Sequence, residues 1–251
     1  MKINLMPDNS SSLTPSFSLL PKSYRLALKT YEQIAILFFI PSLLGTLGDI
    51  YASSLKYTQF VHFQLTNAQL IGLILLIVWV VLSLINFSPS VYFRVESSKD
   101  REPPTLKECY SIGFKKAAKI LLSEIAAILI IAIGTIAFII PGVLAFRRYI
   151  FSAYYAADNP QLSIRDILDK SAQETKPYSA SVYATFGVVI LYSFMLEYIL
   201  GGFAIGSIII IILNYLILFL PVLRYQEIVS INPTTSFTSK INKRLSNPKK
   251  P

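Results

Sequence analysis

Residues 120–157 form a run of 38 positions in which only Glu124, Arg147 and Arg148 are charged, and the run carries one Pro-Gly pair, Pro141-Gly142. As a single helix it would be about 57 Å long at 1.5 Å per residue, whereas the hydrocarbon core of a bilayer is about 30 Å thick. The run therefore has to fold back on itself. Proline cannot continue the preceding helix but suits the first turn of a new one, and glycine permits a sharp turn, so the expected fold-back is at Pro141-Gly142.

With 53% hydrophobic and 15% charged residues in 251, and a mean hydropathy of +0.55, the chain is too apolar for an ordinary soluble domain. The expected class is all-α: a polytopic bundle of six transmembrane helices with short amphipathic cytoplasmic helices. Five stretches are long enough to cross by hydropathy, at 34–54, 68–88, 120–140, 180–200 and 203–223. The sixth candidate, 141–157, is short and carries both arginines.

Loop charge decides between five and six crossings. With six, every Lys and Arg outside the spans falls on one side except Lys56, as the positive-inside rule requires. The expectation is a multi-pass protein of the cell (inner) membrane with both termini cytoplasmic. Residues 1–22, polar and rich in Ser, Asn and Pro, read as a disordered cytoplasmic tail. Residues 23–227 read as the membrane domain, and 228–251 as a basic cytoplasmic tail. The lone cysteine, Cys109, leaves no intrachain disulfide to form and reads as an ordinary thiol at the membrane surface.

The two long cytoplasmic connections carry helix starts. Thr105 and Glu108 have capping-box spacing after Pro103-Pro104, and Leu106, Tyr110, Phe114, Ala117 and Leu121 then recur at helical spacing. This predicts an amphipathic helix in the headgroup layer, with Lys107, Lys115 and Lys119 towards anionic lipid headgroups. The alternative is a plain continuation of the third span. Ser163 and Asp166 repeat the spacing after Pro160.

Placed in a fourth span, Arg147 and Arg148 would lie about 9–11 Å below the outer surface. An unpaired arginine there costs at least about 2.5–3.5 kcal/mol, so partners are expected. Depth selects Asp49 and Glu197, which predicts a polar layer of Asp49, Arg147, Arg148 and Glu197. Glu124 would lie separately near the cytoplasmic face, and Asn214 near the midplane. Pro41 is expected to break the first span, with Gly45, Gly48 and Ala52 following at the spacing of a close helix contact. Such a layer either fixes helix packing or lines an ion or solute pathway.

Catalytic chemistry is hard to build from these residues. His62 is the single histidine, which excludes HExxH proteases and His-rich metal sites. No Walker A sequence, dinucleotide glycine loop or GxSxG elbow occurs. Neither a cofactor nor a metal is expected, and no aromatic-interleaved basic patch points to nucleic acid.

The stretch Ile140-Pro141-Gly142-Val143-Leu144-Ala145-Phe146-Arg147-Arg148-Tyr149, continued by Tyr154-Tyr155-Ala156-Ala157-Asp158-Asn159-Pro160, Ser163, Ser171 and Thr175-Lys176, resembles a group of bacterial six-span membrane proteins. That group is similar to the membrane domain of glycerophosphoryl diester phosphodiesterases. Where the family continues Lys-Gly, this chain has Lys176-Pro177, so a kinked junction is expected there. In the fused relatives the activity belongs to a separate soluble barrel with two histidines, for which this chain lacks the residues. The resemblance implies a lipid-associated membrane module and no hydrolase. The functional expectation is a non-enzymatic scaffold acting through lipid or membrane-protein partners; the alternative is a transporter or channel component using the Arg/acid layer.

Overall fold

The structure, a computed structural model, describes residues 13–53, 67–99, 101–200 and 204–231. The side chain of Asp49, residues 54–66 with His62, Gly201 and Gly202, and residues 232–251 lie outside the described residues. Among the described residues the chain is helical with no strand, and five segments are long and apolar enough to cross a membrane: Tyr31–Gly48, Leu70–Ser98, Leu106–Ala137, Ile164–Leu200 and Ile209–Ile231.

The N-terminal segment is not a free tail from residue 13 onward. Leu13, Ser16 and Leu19 are buried, a 3-10 turn spans Ser16–Leu19, and α1 (Leu20–Lys29) starts with Pro21 in its first turn. Helix α1 buries Ser23 and Ala27 and leaves Lys22, Arg25 and Lys29 exposed, an amphipathic division that docks it on the bundle. At Thr30 the backbone leaves helical geometry, and α2 (Tyr31–Ile34) follows.

Pro41 does not break the helix as expected. A π-helical turn at Ala35–Phe39 leads directly into α3 (Ile40–Ser53). A proline lacks the N–H for its i−4 carbonyl and its ring collides with that carbonyl. The wider π turn gives that carbonyl room, and the Ile40 N–H bonds back to the Ala35 carbonyl. Helix α4 (Asn67–Ser98) returns antiparallel to α3: Gly45 packs on Trp79 and Gly48 on Leu76.

The capping box is present at the start of α5 (Leu106–Ala137), where Thr105 accepts from the Glu108 N–H and Glu108 from that of Thr105. From there α5 is one continuous helix, the plain continuation rather than a separate headgroup-layer helix. Its first half meets α4 backbone to backbone; a Cβ on Gly113 would lie 2.7 Å from the Pro89 Cα.

The reversal comes three residues earlier than Pro141-Gly142. Helix α5 ends at Ala137, Phe138 is extended (φ −162°, ψ 144°), and α6 runs Ile139–Tyr149. Pro141 therefore sits in the first turn of α6, where a missing N–H costs nothing. Gly142 serves close packing, since a Cβ there would collide with Thr135 Oγ1 and lie 2.7 Å from the Thr135 Cα.

The stretch expected as a fourth span is divided. After α6 the chain leaves the helix at Ile150-Phe151 and forms α7 (Ser152–Asp158), and Phe151 to Ala157 are all buried inside the protein. Only Phe138 to Leu144 of this stretch present large apolar side chains outward. The return still tracks α5 over its length: Gly142 lies on Gly134, Ser152 donates to Glu124, and Lys116 donates to the Ala157 carbonyl.

Helix α8 (Ile164–Thr175) is capped by Ser163, whose hydroxyl accepts from the Asp166 N–H, and passes through a 3-10 turn containing Pro177 into α9 (Ser179–Leu200). The stretch expected as the sixth span is α10 (Ala204–Leu216), a turn, and α11 (Leu220–Ile231). Pro221 cannot bond to the Ile217 carbonyl, and the helix restarts there. The expected start of the C-terminal tail at 228 is also too early, since Ile228 is fully buried in α11.

The bundle has two tiers. Large apolar side chains face outward on α4 from Leu70 to Ile85, on α5 from Leu122 to Ile136, and on α9 from Ile190 to Ile199. In the other tier the second half of α4, the start of α5, α8 and α11 close around α7. Because Gly142 touches backbone, Gly142→Ala should destabilise the protein by about 1–3 kcal/mol through overpacking. Gly187 has open space around it, so Gly187→Ala should be neutral or stabilising by up to about 1 kcal/mol; thermal unfolding of both variants in detergent measures the difference.

Candidate functional site

The buried helix α7 gathers the polar side chains of four other elements. Its last residue, Asp158, accepts from Lys99 Nζ at 2.9 Å and from Tyr225 Oη at 2.6 Å, joining the end of α4 to α11. Lys99 also holds Glu96 at 2.6 Å. Burial opposes the charge on the Lys99 ammonium, but its hydrogen bonds to Asp158 and Glu96 outweigh burial and hold its pKa above the usual lysine value. A lysine pKa raised on folding contributes stability throughout neutral pH, lost only in strongly alkaline solution.

Tyr155 Oη donates to Glu174 at 2.8 Å, bringing α8 to the same hub. Arg94 donates to Tyr154 Oη, and its guanidinium lies 5.4 Å from the Tyr154 ring and 5.9 Å from the Phe38 ring. Both placements are within cation–π range. Tyr155 and Tyr225 meet edge to face at 4.8 Å.

A second cluster surrounds Arg224, which is fully buried. It donates to Thr185 at 2.9 Å, Glu227 at 2.6 Å, the Thr14 carbonyl at 2.7 Å and Ser16 at 3.1 Å. One guanidinium thus ties the N-terminal segment to α9 and α11. A buried charge needs such partners.

Among the described residues Arg147, Arg148 and Glu197 of the expected polar layer are not brought together, and the Asp49 side chain lies outside the described residues. Arg147 is buried and donates to Ser179, the first residue of α9, while its Nε is buried with no partner among the described residues. Glu197 stands eighteen residues further along that helix, about 27 Å away at the helical rise. The reason is the short α6: it ends at Tyr149, so Arg147 emerges where the start of α9 offers a hydroxyl. Arg148 is exposed, and its carbonyl accepts from Ser171. Glu124 accepts from Ser152, and Asn214 from Ser193 of α9. Cys109, expected at the surface, is fully buried with its thiol towards the Pro104 carbonyl.

Glu197 instead lines a groove of about 400 Å³ with Ser42, Gly45, Thr46, Trp79, Ile210 and Ile211. No group of three or more His, Cys, Asp or Glu side chains able to hold a metal occurs among the described residues. Comparison with family models, curated proteins and solved structures returns no match.

Sequence reasoning selected residues by depth in the membrane and so missed Asp158, Tyr225 and Arg224. The usable indication was a cluster of tyrosines beside an acid at the end of an apolar run. Asp158→Asn and Tyr225→Phe should each destabilise the protein by about 1–2 kcal/mol, and the double variant should fall short of their sum by at least about 0.5 kcal/mol, the mark of a direct contact. Arg224→Met should free residues 13–19, seen as cleavage of the N-terminal segment by limited proteolysis, several-fold faster than in the parent.

Proposed function

We propose that this chain is a non-enzymatic multi-pass membrane scaffold, built to hold a rigid polar platform at the cytoplasmic face of a cell (inner) membrane. In this reading both termini are cytoplasmic and the chain crosses six times, with α5 and the divided α6–α7 as the third and fourth crossings. The supporting observation is that, Arg147 apart, the buried and partly buried charges of the platform are engaged within the protein. Lys99, Glu96 and Asp158 form one ion-paired set, Arg224 and Glu227 another, and tyrosine hydroxyls complete the network.

The segment resembling the phosphodiesterase membrane-domain group supports the same reading. Its recurrent residues sit in α6, α7 and α8 and serve packing: Tyr154 and Tyr155 are buried, Asp158 bridges α4 and α11, and Ser171 secures the end of α6. The proposed partners are anionic lipid headgroups and other membrane proteins. Exposed Lys22, Arg25, Lys29, Lys107, Lys115 and Arg165 supply the positive charge for the lipid contact.

Single cysteines along 143–157 in a Cys109→Ser background, probed with a water-soluble maleimide in sealed vesicles, test the scaffold against a solute pathway. A scaffold labels at the outermost positions only and stays unlabelled from 151 to 157. Labelling that reaches the Arg147 neighbourhood through the middle of the segment would establish a water-filled route and sink the scaffold reading.

A further inference from the structure

The groove at Glu197 is independent of the polar platform. Its position within the apolar tier follows from helix positions. Trp79 is twelve residues into α4, Ile210 six residues into α10, Thr46 seven residues before the end of α3 and Glu197 three residues before the end of α9, so the groove runs from about 5 Å to about 18 Å from the helix ends that surround it. Around it, Phe194, Met195, Tyr198 and Ile199 of α9 are exposed and apolar. Glu197 is itself exposed and stands three residues before the end of α9, so its carboxylate is accessible to a ligand. Glu197 has neither a hydrogen bond nor an ion pair with any described residue, whereas the partly buried Glu96, Asp158 and Glu174 of the platform are all engaged.

What surrounds the carboxylate has a defined chemistry. Trp79, the only tryptophan in the chain, lies against Gly45 so closely that a Cβ there would be 2.8 Å from its Nε1. The glycine therefore makes room for the indole on the groove wall. Ser42 and Thr46 add hydroxyls, and Ile210 and Ile211 close the apolar side. A carboxylate, an indole face and small hydroxyls in a pocket of about 400 Å³ are the elements of a site for an organic ammonium, which takes its counter-charge from the acid and a cation–π contact from the ring.

The groove does not continue through the bundle. At its inner end Tyr215 donates to Ser42 at 2.8 Å, and Phe38 packs on Tyr215, Phe93 and, through Phe93, on Phe219. A closed end suits a docking site and not a conduit. We infer that the groove between α3, α4, α9 and α10 binds an ammonium group, held by Glu197 and Trp79, either of a free organic amine or of an amine-bearing lipid headgroup.

The single tryptophan makes the test direct, because its emission reports this groove alone. Full-length protein in nanodiscs of phosphatidylglycerol, which has no amine, is titrated with benzyltrimethylammonium. The same protein is also compared between phosphatidylglycerol discs and discs containing phosphatidylethanolamine. A saturable emission change with the free ammonium that weakens at least about tenfold in Glu197→Gln, the loss expected for one charge-assisted contact, supports a free-amine site. An emission difference between the two lipids that disappears in Glu197→Gln supports a lipid-amine site. Thr46→Val, which keeps the charge, should weaken either response by a smaller factor, and unchanged elution and helix content show that both variants fold. No response in either arm, or a response that Glu197→Gln leaves intact, overturns the proposal. Neither outcome bears on the platform, whose test is cysteine access along 143–157.

Discussion

Asp158 accepts one hydrogen bond from Lys99 and one from Tyr225, and the arrangement of the polar tier depends on where that carboxylate stands. Lys99 follows the last residue of α4, and Tyr225 lies in α11, far away in sequence. Helix α7 has only seven residues, too short to be stable alone. It is helical because its whole surface is covered by neighbours, and those neighbours are positioned because α7 is there to be covered. The ionic contact at its end fixes the register of this mutual support, since apolar packing alone would tolerate small slides.

Much of the helical architecture could be read directly from the sequence. Hydropathy located the long apolar helices, and the Thr105/Glu108 and Ser163 caps were readable because capping is local chemistry. Prolines were harder to read. A proline marks a constraint without saying how it is met: Pro141 begins a helix, Pro41 follows a π turn, Pro89 stays inside α4 at the contact with Gly113, and Pro221 restarts a helix after a turn. The choice rests on tertiary neighbours, which a single sequence does not display.

The candidate site was less legible for a related reason. Depth was assigned by counting along supposed continuous spans, and the end of α6 at Tyr149 instead puts Arg147 and Arg148 in a last helical turn, with Arg147 beside the start of α9. Arg147 and Glu197 are right as residues whose polarity demands an explanation, but they answer to different surroundings at opposite ends of α9. The internal contacts of Arg224 are non-local, with Thr14 and Ser16 more than 200 positions away. No pattern within one segment encodes such a pairing.

The π turn at Ala35–Phe39 separates the helical phase of α3 from that of the chain before it. A π turn holds one more residue than the α turn it replaces, so the surplus is absorbed locally instead of rotating everything downstream by about 100°. Ser42, Gly45 and Thr46 thus keep their bearing towards the groove regardless of how α1 and α2 are seated on the polar tier. Chain length and side-chain direction are uncoupled at this one place, so the part of this segment next to α1 and α2 can shift or vary while the part that faces Trp79 stays aimed.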